Sequence, residues 1–140
     1  MSLRDKCAIV GASMTRLGKK ISNMSTMGFA LEACKKAIED AGLTKDDVDG
    51  LLFTHPSQQG ERHGFSGRVA DLLGISSTFN ATVDCGGATP YCLVDTGALL
   101  PRAGTPAASA WEKEAIIGEI GAYTGYTTVF MAKVMQLLGR

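Results

Sequence analysis

The amino-acid sequence predicts an α/β fold in which a sheet is covered by helices. Three observations carry the prediction. Apolar runs with β-branched residues alternate with stretches of helical period, glycines close several of those stretches, and the order through residue 100 is strand, helix, strand, helix, strand, turn, helix.

Each element rests on its own residues. Cys7-Ala8-Ile9-Val10, ended by Gly11, reads as a buried strand, with a loop after it to about Ser25. From Thr26 the apolar residues Met27, Leu31, Cys34, Ile38 and Ala41 recur at steps of four and three. Glu32, Lys35, Lys36, Glu39 and Asp40 take the other side, which predicts an amphipathic helix. Ser25 or Thr26 can cap its start, and Gly42 stands where a left-handed C-terminal residue is wanted. Thr44 with Asp47 three residues on is a variant of the capping box and predicts one short helical turn. Leu51-Leu52-Phe53-Thr54 reads as a second buried strand, and residues 55–63, with Pro56 and Gly60, as a loop. Phe65, Val69, Leu72 and Leu73, closed by Gly74, make a second amphipathic pattern. Ala81-Thr82-Val83 is a short strand leading into a glycine turn, and a third helix is expected from about Tyr91 to Leu100.

After residue 100 the character changes. Pro101, Gly104 and Pro106 mark residues 101–110 as a connector between a first segment, 1–100, and a tail, 111–140. The tail is expected to be helical. Residues 111–120 form one helix in this reading, and Val129, Phe130, Val134, Leu137 and Leu138 line another, with a turn-rich break at 121–127.

Composition narrows the function classes. An apolar fraction of 45% and a charged fraction of 20% are those of a soluble globular domain. Fourteen basic and fourteen acidic side chains cancel to a formal charge of zero, so nothing attracts nucleic acid or an anionic membrane. The longest apolar runs are far short of a membrane span, and no signal-peptide pattern opens the chain. Cys7, Cys34, Cys85 and Cys92 stand at spacings of 27, 51 and 7, unlike the paired spacing of a zinc site. Reduced thiols in a cytoplasmic protein are expected, although four cysteines can pair in three ways.

The place built like an active-site junction is Asp84-Cys85-Gly86-Gly87-Ala88-Thr89. A glycine pair between a strand and a helix aims backbone N–H groups at a helix N-terminus, where the dipole favours developing negative charge, which is an oxyanion hole in outline. The same glycines also serve to let backbone pass close to a neighbouring strand. Cys85 has two readings: a nucleophile whose pKa the helix N-terminus lowers, or a buried packing residue. The second is favoured, because His55 and His63 share one loop with no spacing that links them to Cys85. Cys92 reads as a core residue inside the helix, as do Cys34 on its apolar stripe and Cys7 in its strand. His55, His63 and Glu61 lack the further ligand a metal site needs and read as a solvated loop. Residues 11–18 follow a strand as a dinucleotide-binding turn does but lack G-x-G-x-x-G. Neither a P-loop, a GxSxG elbow nor HExxH occurs.

Taken in order, four segments resemble the start of a thiolase. They are Ala8-Ile9-Val10-Gly11 with Thr15, the helix from Ala30 to Leu43, the link Asp47-Val48-Asp49-Gly50-Leu51, and the turn from Thr82 to Thr89. The nearer likeness is to sterol-carrier-type thiolases and thiolase-like lipid-transfer proteins, over residues 3 to about 100. Gly121-Ala122-Tyr123-Thr124-Gly125-Tyr126 resembles a later stretch of the same domain. The resemblance implies a partial thiolase-like N-terminal domain with a mixed sheet covered by helices.

It also implies roles. Thiolases hold an acyl group on the Cys of a Val-Asn-x-x-Cys-x-Ser-Gly pattern. Laid on Val83-Asp84, that pattern puts Gly87 at the nucleophile and Thr89 where the family has Ser, with Cys85 two residues early. The lipid-transfer-like branch has Gly-Gly-Ala-Ser here instead of Cys, and some of its relatives cleave carbon–carbon bonds in aldol fashion with an OB-fold partner. Cys85 is therefore the candidate catalytic residue, and Gly86, Gly87, Ala88 and Thr89 are the candidate substrate-binding residues, with no metal. The implied protein is a shortened thiolase-like relative of acetyl-CoA acetyltransferases that binds an acyl-CoA or steroid-CoA thioester in its full-length form. It would have no covalently bound cofactor and would form homo- or hetero-oligomers. Thiolases pair two similar halves, so acyltransferase or carbon–carbon lyase activity is not expected of this chain alone. The alternative is a non-enzymatic interaction or scaffold module that dimerises through unpaired sheet edges. A third reading, an interrupted reading frame, follows from the poor fit of residues 90–110 to the family.

Overall fold

The computed structural model describes residues 8–15, 24–54, 64–99, 115–120 and 128–133. Along them run β1 (Ala8–Met14), α1 (Thr26–Asp40), β2 (Val48–Phe53), α2 (Phe65–Leu73), β3 (Phe79–Thr82), α3 (Thr89–Leu99), β4 (Ala115–Ile120) and β5 (Thr128–Lys133). Single 3-10 turns at Lys45–Asp47 and Gly86–Ala88 precede β2 and α3.

Local chemistry accounts for the first half of that order. Ser25 Oγ accepts the Gly28 N–H at 3.1 Å and starts α1. At its other end Gly42, at φ 65°, donates to the Glu39 carbonyl and Leu43 donates to that of Ile38, a Schellman closure. Both the N–H and the hydroxyl of Thr44 donate to Asp47 Oδ2, at 2.8 and 2.7 Å, which shapes the short turn before β2. Gly74, at φ 67°, ends α2.

The five strands form one mixed sheet in the order β1-β5-β4-β2-β3. β2 is parallel to both β3 and β4, while β5 is antiparallel to its neighbours β4 and β1. Moving from β1 to β2 and on to β3 the chain advances across the sheet, so right-handed crossovers put α1 and α2 on one face. From β3 to β4 it turns back, and the same handedness puts α3 on the other. The side chains agree. Leu51 and Phe53 of β2 pack with α1 and α2, and the ring of Phe53 meets that of Phe65 edge to face at 5.5 Å. Leu52 points the opposite way, to Leu93 and Val94 of α3 and to Phe79 and Ala81 of β3. Burying a side chain such as Phe53 contributes roughly 2–3 kcal/mol by area removed from water.

Several expectations change. The tail expected to be helical contributes two strands instead, β4 over Ala115–Ile120 and β5 over Thr128–Lys133. Ile116, Ile117, Val129 and Phe130 are strand-forming types, and the gap between β1 and β2 offers backbone partners on both sides, so pairing overrides a short helical period. β1 runs through Gly11 to Met14 instead of stopping at Gly11, since α1 crosses so close there that a Cβ would lie 2.6 Å from the Ala37 carbonyl oxygen. β2 begins at Val48, so most of the expected link is strand, and β3 begins two residues earlier than expected, at Phe79. Leu72, placed on the apolar stripe of α2, is exposed, and Ala70 takes its place in the core. The connector 101–110, the loop 55–63 and the break 121–127 lie outside the described residues.

Candidate functional site

The turn from Asp84 to Thr89 hangs from the carboxyl end of β3. The Val83 N–H donates to the Phe53 carbonyl at 2.8 Å, carrying the β2–β3 pairing one residue past the strand. Beyond that pair the chain leaves β2 toward α2 on one face and leaves β3 toward α3 on the other. The turn therefore sits at a topological switch point of the sheet, where open α/β folds place their crevices.

Four side-chain and backbone bonds shape it. Asp84 Oδ1 accepts the Gly86 N–H at 3.0 Å. The Thr89 hydroxyl accepts the Cys85 N–H at 2.8 Å and donates to the Gly86 carbonyl at 2.7 Å. Ala88 N–H donates to the Cys85 carbonyl at 3.3 Å. Gly86 stands at φ 59°, a backbone that L side chains rarely adopt, which gives that position its residue type. Gly87 has no such requirement, and a Cβ built on it would meet nothing within 4 Å.

This geometry narrows the anion-binding expectation. The N–H groups of Cys85, Gly86, Ala88 and Thr89 are all engaged inside the turn, and Pro90 has none to offer. Asp84 and Gly87 are left as the backbone donors of the turn without a partner among the described residues. Thr89, expected to touch substrate, is buried at 4% exposure with its hydroxyl spent on the turn, whereas Cys85, Gly86, Gly87 and Ala88 are exposed.

Cys85 departs from the reading favoured for it. It is exposed, so it is not a packing residue. Its thiol pKa is pushed up, not down, first through side-chain hydrogen bonding with Cys92, then through desolvation and unfavourable charge interaction with Cys92 and Asp84. No group of three His, Cys, Asp or Glu able to hold a metal occurs among the described residues. His55 and His63 lie outside them, as does Cys7. Cys34 is buried, as expected. Cys92, expected in the core, is half-exposed instead. No helix among the described residues is long and apolar enough to cross a membrane.

No protein-family model matches the sequence, and no curated protein matches it. Solved structures do match. The Ltp2-ChsH2(DUF35) aldolase is 28% identical with a TM-score of 0.66, over 88% of this chain and 29% of that one. A variant of OleA from Xanthomonas campestris superposes at a TM-score of 0.72 and 11% identity, over 96% of this chain and 60% of that one. The 3-oxoacyl-[acyl-carrier-protein] synthase III of Aquifex aeolicus VF5 gives 0.69 and 10%, over 93% of this chain and 54% of that one. The chain thus has the α/β fold of thiolase-like condensing enzymes and spans about half the length of most structures it matches, and less of the aldolase.

Proposed function

We propose that this chain is the turn-bearing part of a thiolase-like protein that binds an acyl-CoA or steroid-CoA thioester, and that by itself it does not transfer acyl groups. The observation that carries the reading is Gly87. It stands where the thiolase pattern has its nucleophile, at the mouth of α3, with an unengaged N–H and open space in place of a side chain. That N–H is available to a thioester carbonyl in this reading, but Gly87 brings no nucleophile to it. Cys85, two residues earlier, is a poor substitute, because its thiol pKa is raised and nucleophilic attack requires the thiolate.

Support for a relative of the lipid-transfer and aldolase branch, rather than of a condensing thiolase, comes from the Gly-Gly-Ala-Thr turn. The higher identity to the Ltp2-ChsH2(DUF35) aldolase than to the OleA variant points the same way. Activity in such a protein would be an aldol-type carbon–carbon cleavage needing residues from a second half or a partner chain. Incubating the chain with acetyl-CoA and with a longer acyl-CoA tests this, read by equilibrium binding and intact mass. The expected result is saturable binding without an acyl adduct. A stoichiometric adduct that disappears in Cys85→Ser overturns the non-catalytic part, and absence of binding to every acyl-CoA overturns the thioester part.

A second reading, an interaction module that dimerises through strand edges, is favoured by one observation. Among the described residues, β1 and β3 each pair on one side only. Sedimentation separates it: a concentration-dependent dimer supports edge pairing, and a monomer at every concentration removes it.

A further inference from the structure

We propose that the Asp40 carboxylate guards the β1 edge of the sheet, and that without it β1 pairs with β1 of a second copy of this chain. β1 ends the strand order, with β5 on one side and no strand on the other among the described residues. An antiparallel strand turns every second N–H and C=O away from its partner, toward the place of a further strand. The Ala12 N–H is one that turns away, and it donates to Asp40 Oδ2 at 2.9 Å. A strand joining this edge would have to take that N–H from a carboxylate. The way α1 lies along β1 holds the carboxylate there. The Ser13 hydroxyl donates to the Ala33 carbonyl at 2.6 Å, and a Cβ on Gly11 would lie 2.9 Å from that of Ala41, the residue after Asp40.

β1 is a strand that needs a guard. It runs for seven residues, Ala8–Met14, with neither a charged residue nor a proline among them, and Ile9 and Met14 are more than half exposed. Long, uncharged, apolar edges invite pairing. A register shift between Ile9 and Gly11 blunts the first part of the strand, and the Asp40 bond falls on the regular remainder, Gly11–Met14. A second copy fits this edge because a twofold axis sets β1 antiparallel to itself, and two uncharged strands bring no like charges together. β3, at the other edge, is four residues long, and shortness is itself a protection. The inference rests on the edge-pairing reading for its partner and excludes β1 from the contacts of the unaltered chain; the thioester reading is independent of it.

Sedimentation of the whole chain tests it. Asp40→Ala should tighten self-association by about tenfold or more over the parent, because an added strand no longer displaces a charged hydrogen bond. Ala12→Pro removes the outward N–H, a change that an edge strand tolerates, and in the Asp40→Ala background it should return association to the parent level. At concentrations where Asp40→Ala is monomeric, its Ala12 amide should exchange hydrogen faster than in the parent. The parent's own oligomeric state judges the edge-pairing reading, whereas the difference between parent and variants judges the guard. Asp40→Ala that associates no more than the parent, an unchanged Ala12 exchange rate, or association or aggregation that persists when Ala12→Pro is added would each overturn the inference. So would a parent dimer that Ala12→Pro dissolves, since β1 would then already be in use.

Discussion

The hydroxyl of Thr89 accepts the N–H of Cys85 at 2.8 Å and donates its own proton to the carbonyl of Gly86 at 2.7 Å, so one buried side chain closes the turn from inside the helix that follows it.

Thr89→Val keeps the volume and deletes both bonds. A lost hydrogen bond with a partner left unsatisfied costs about 1–2 kcal/mol, and for a domain of this size the melting temperature should fall by about 3–6 °C. Thr89→Ser retains the hydroxyl and should lose less than half as much. Thermal unfolding decides it, and a Thr89→Val protein as stable as the parent would contradict the lock.

The two glycines of the turn should respond in opposite ways to alanine. Gly86→Ala forces a side chain onto a backbone at φ 59° and should destabilise by about 1 kcal/mol. Gly87→Ala meets open space on an ordinary backbone and should be neutral or stabilise by up to about 1 kcal/mol through the unfolded chain. Urea denaturation of the pair reads the contrast, and equal effects would reject this geometry.

Alkylation of Cys85 should be slow at neutral pH. Its raised pKa leaves little thiolate there, so the rate should climb about tenfold per pH unit and keep climbing past the ordinary thiol value. Removing the largest cause, in Cys92→Ala, lowers that pKa and should speed the reaction at pH 8, while Asp84→Asn should give a smaller gain. Quenched iodoacetamide labelling followed by mass spectrometry measures both. A rate already level at pH 7 would mean that Cys92 does not hold the proton.

Gly11→Ala tests the contact between β1 and α1. The added methyl would lie 2.6 Å from the Ala37 carbonyl oxygen and 2.9 Å from the Ala41 Cβ, and both belong to the end of the helix. Overpacking of this kind costs about 1–3 kcal/mol, visible as a lower urea midpoint. An unchanged midpoint would show that α1 does not rest on Gly11.

Elements whose cause lies within a few residues were legible in the sequence alone. α1 follows from its spaced apolar side, Ser25 and Gly42; the short turn before β2 follows from Thr44 and Asp47; and the α/β class follows from the alternation of Leu51-Leu52-Phe53 with such helices. What required the tertiary structure is whatever depends on partners far along the chain. β4 and β5 are strands because the gap between β1 and β2 supplies their hydrogen bonds, a condition that no window around Ile116 or Val129 contains. The turn shows the same division. Its place between strand and helix, and the glycine pair within it, could be read from residue types. Which of its N–H groups are engaged depends on how backbone and side chains fold back at the start of α3, which spacing does not state.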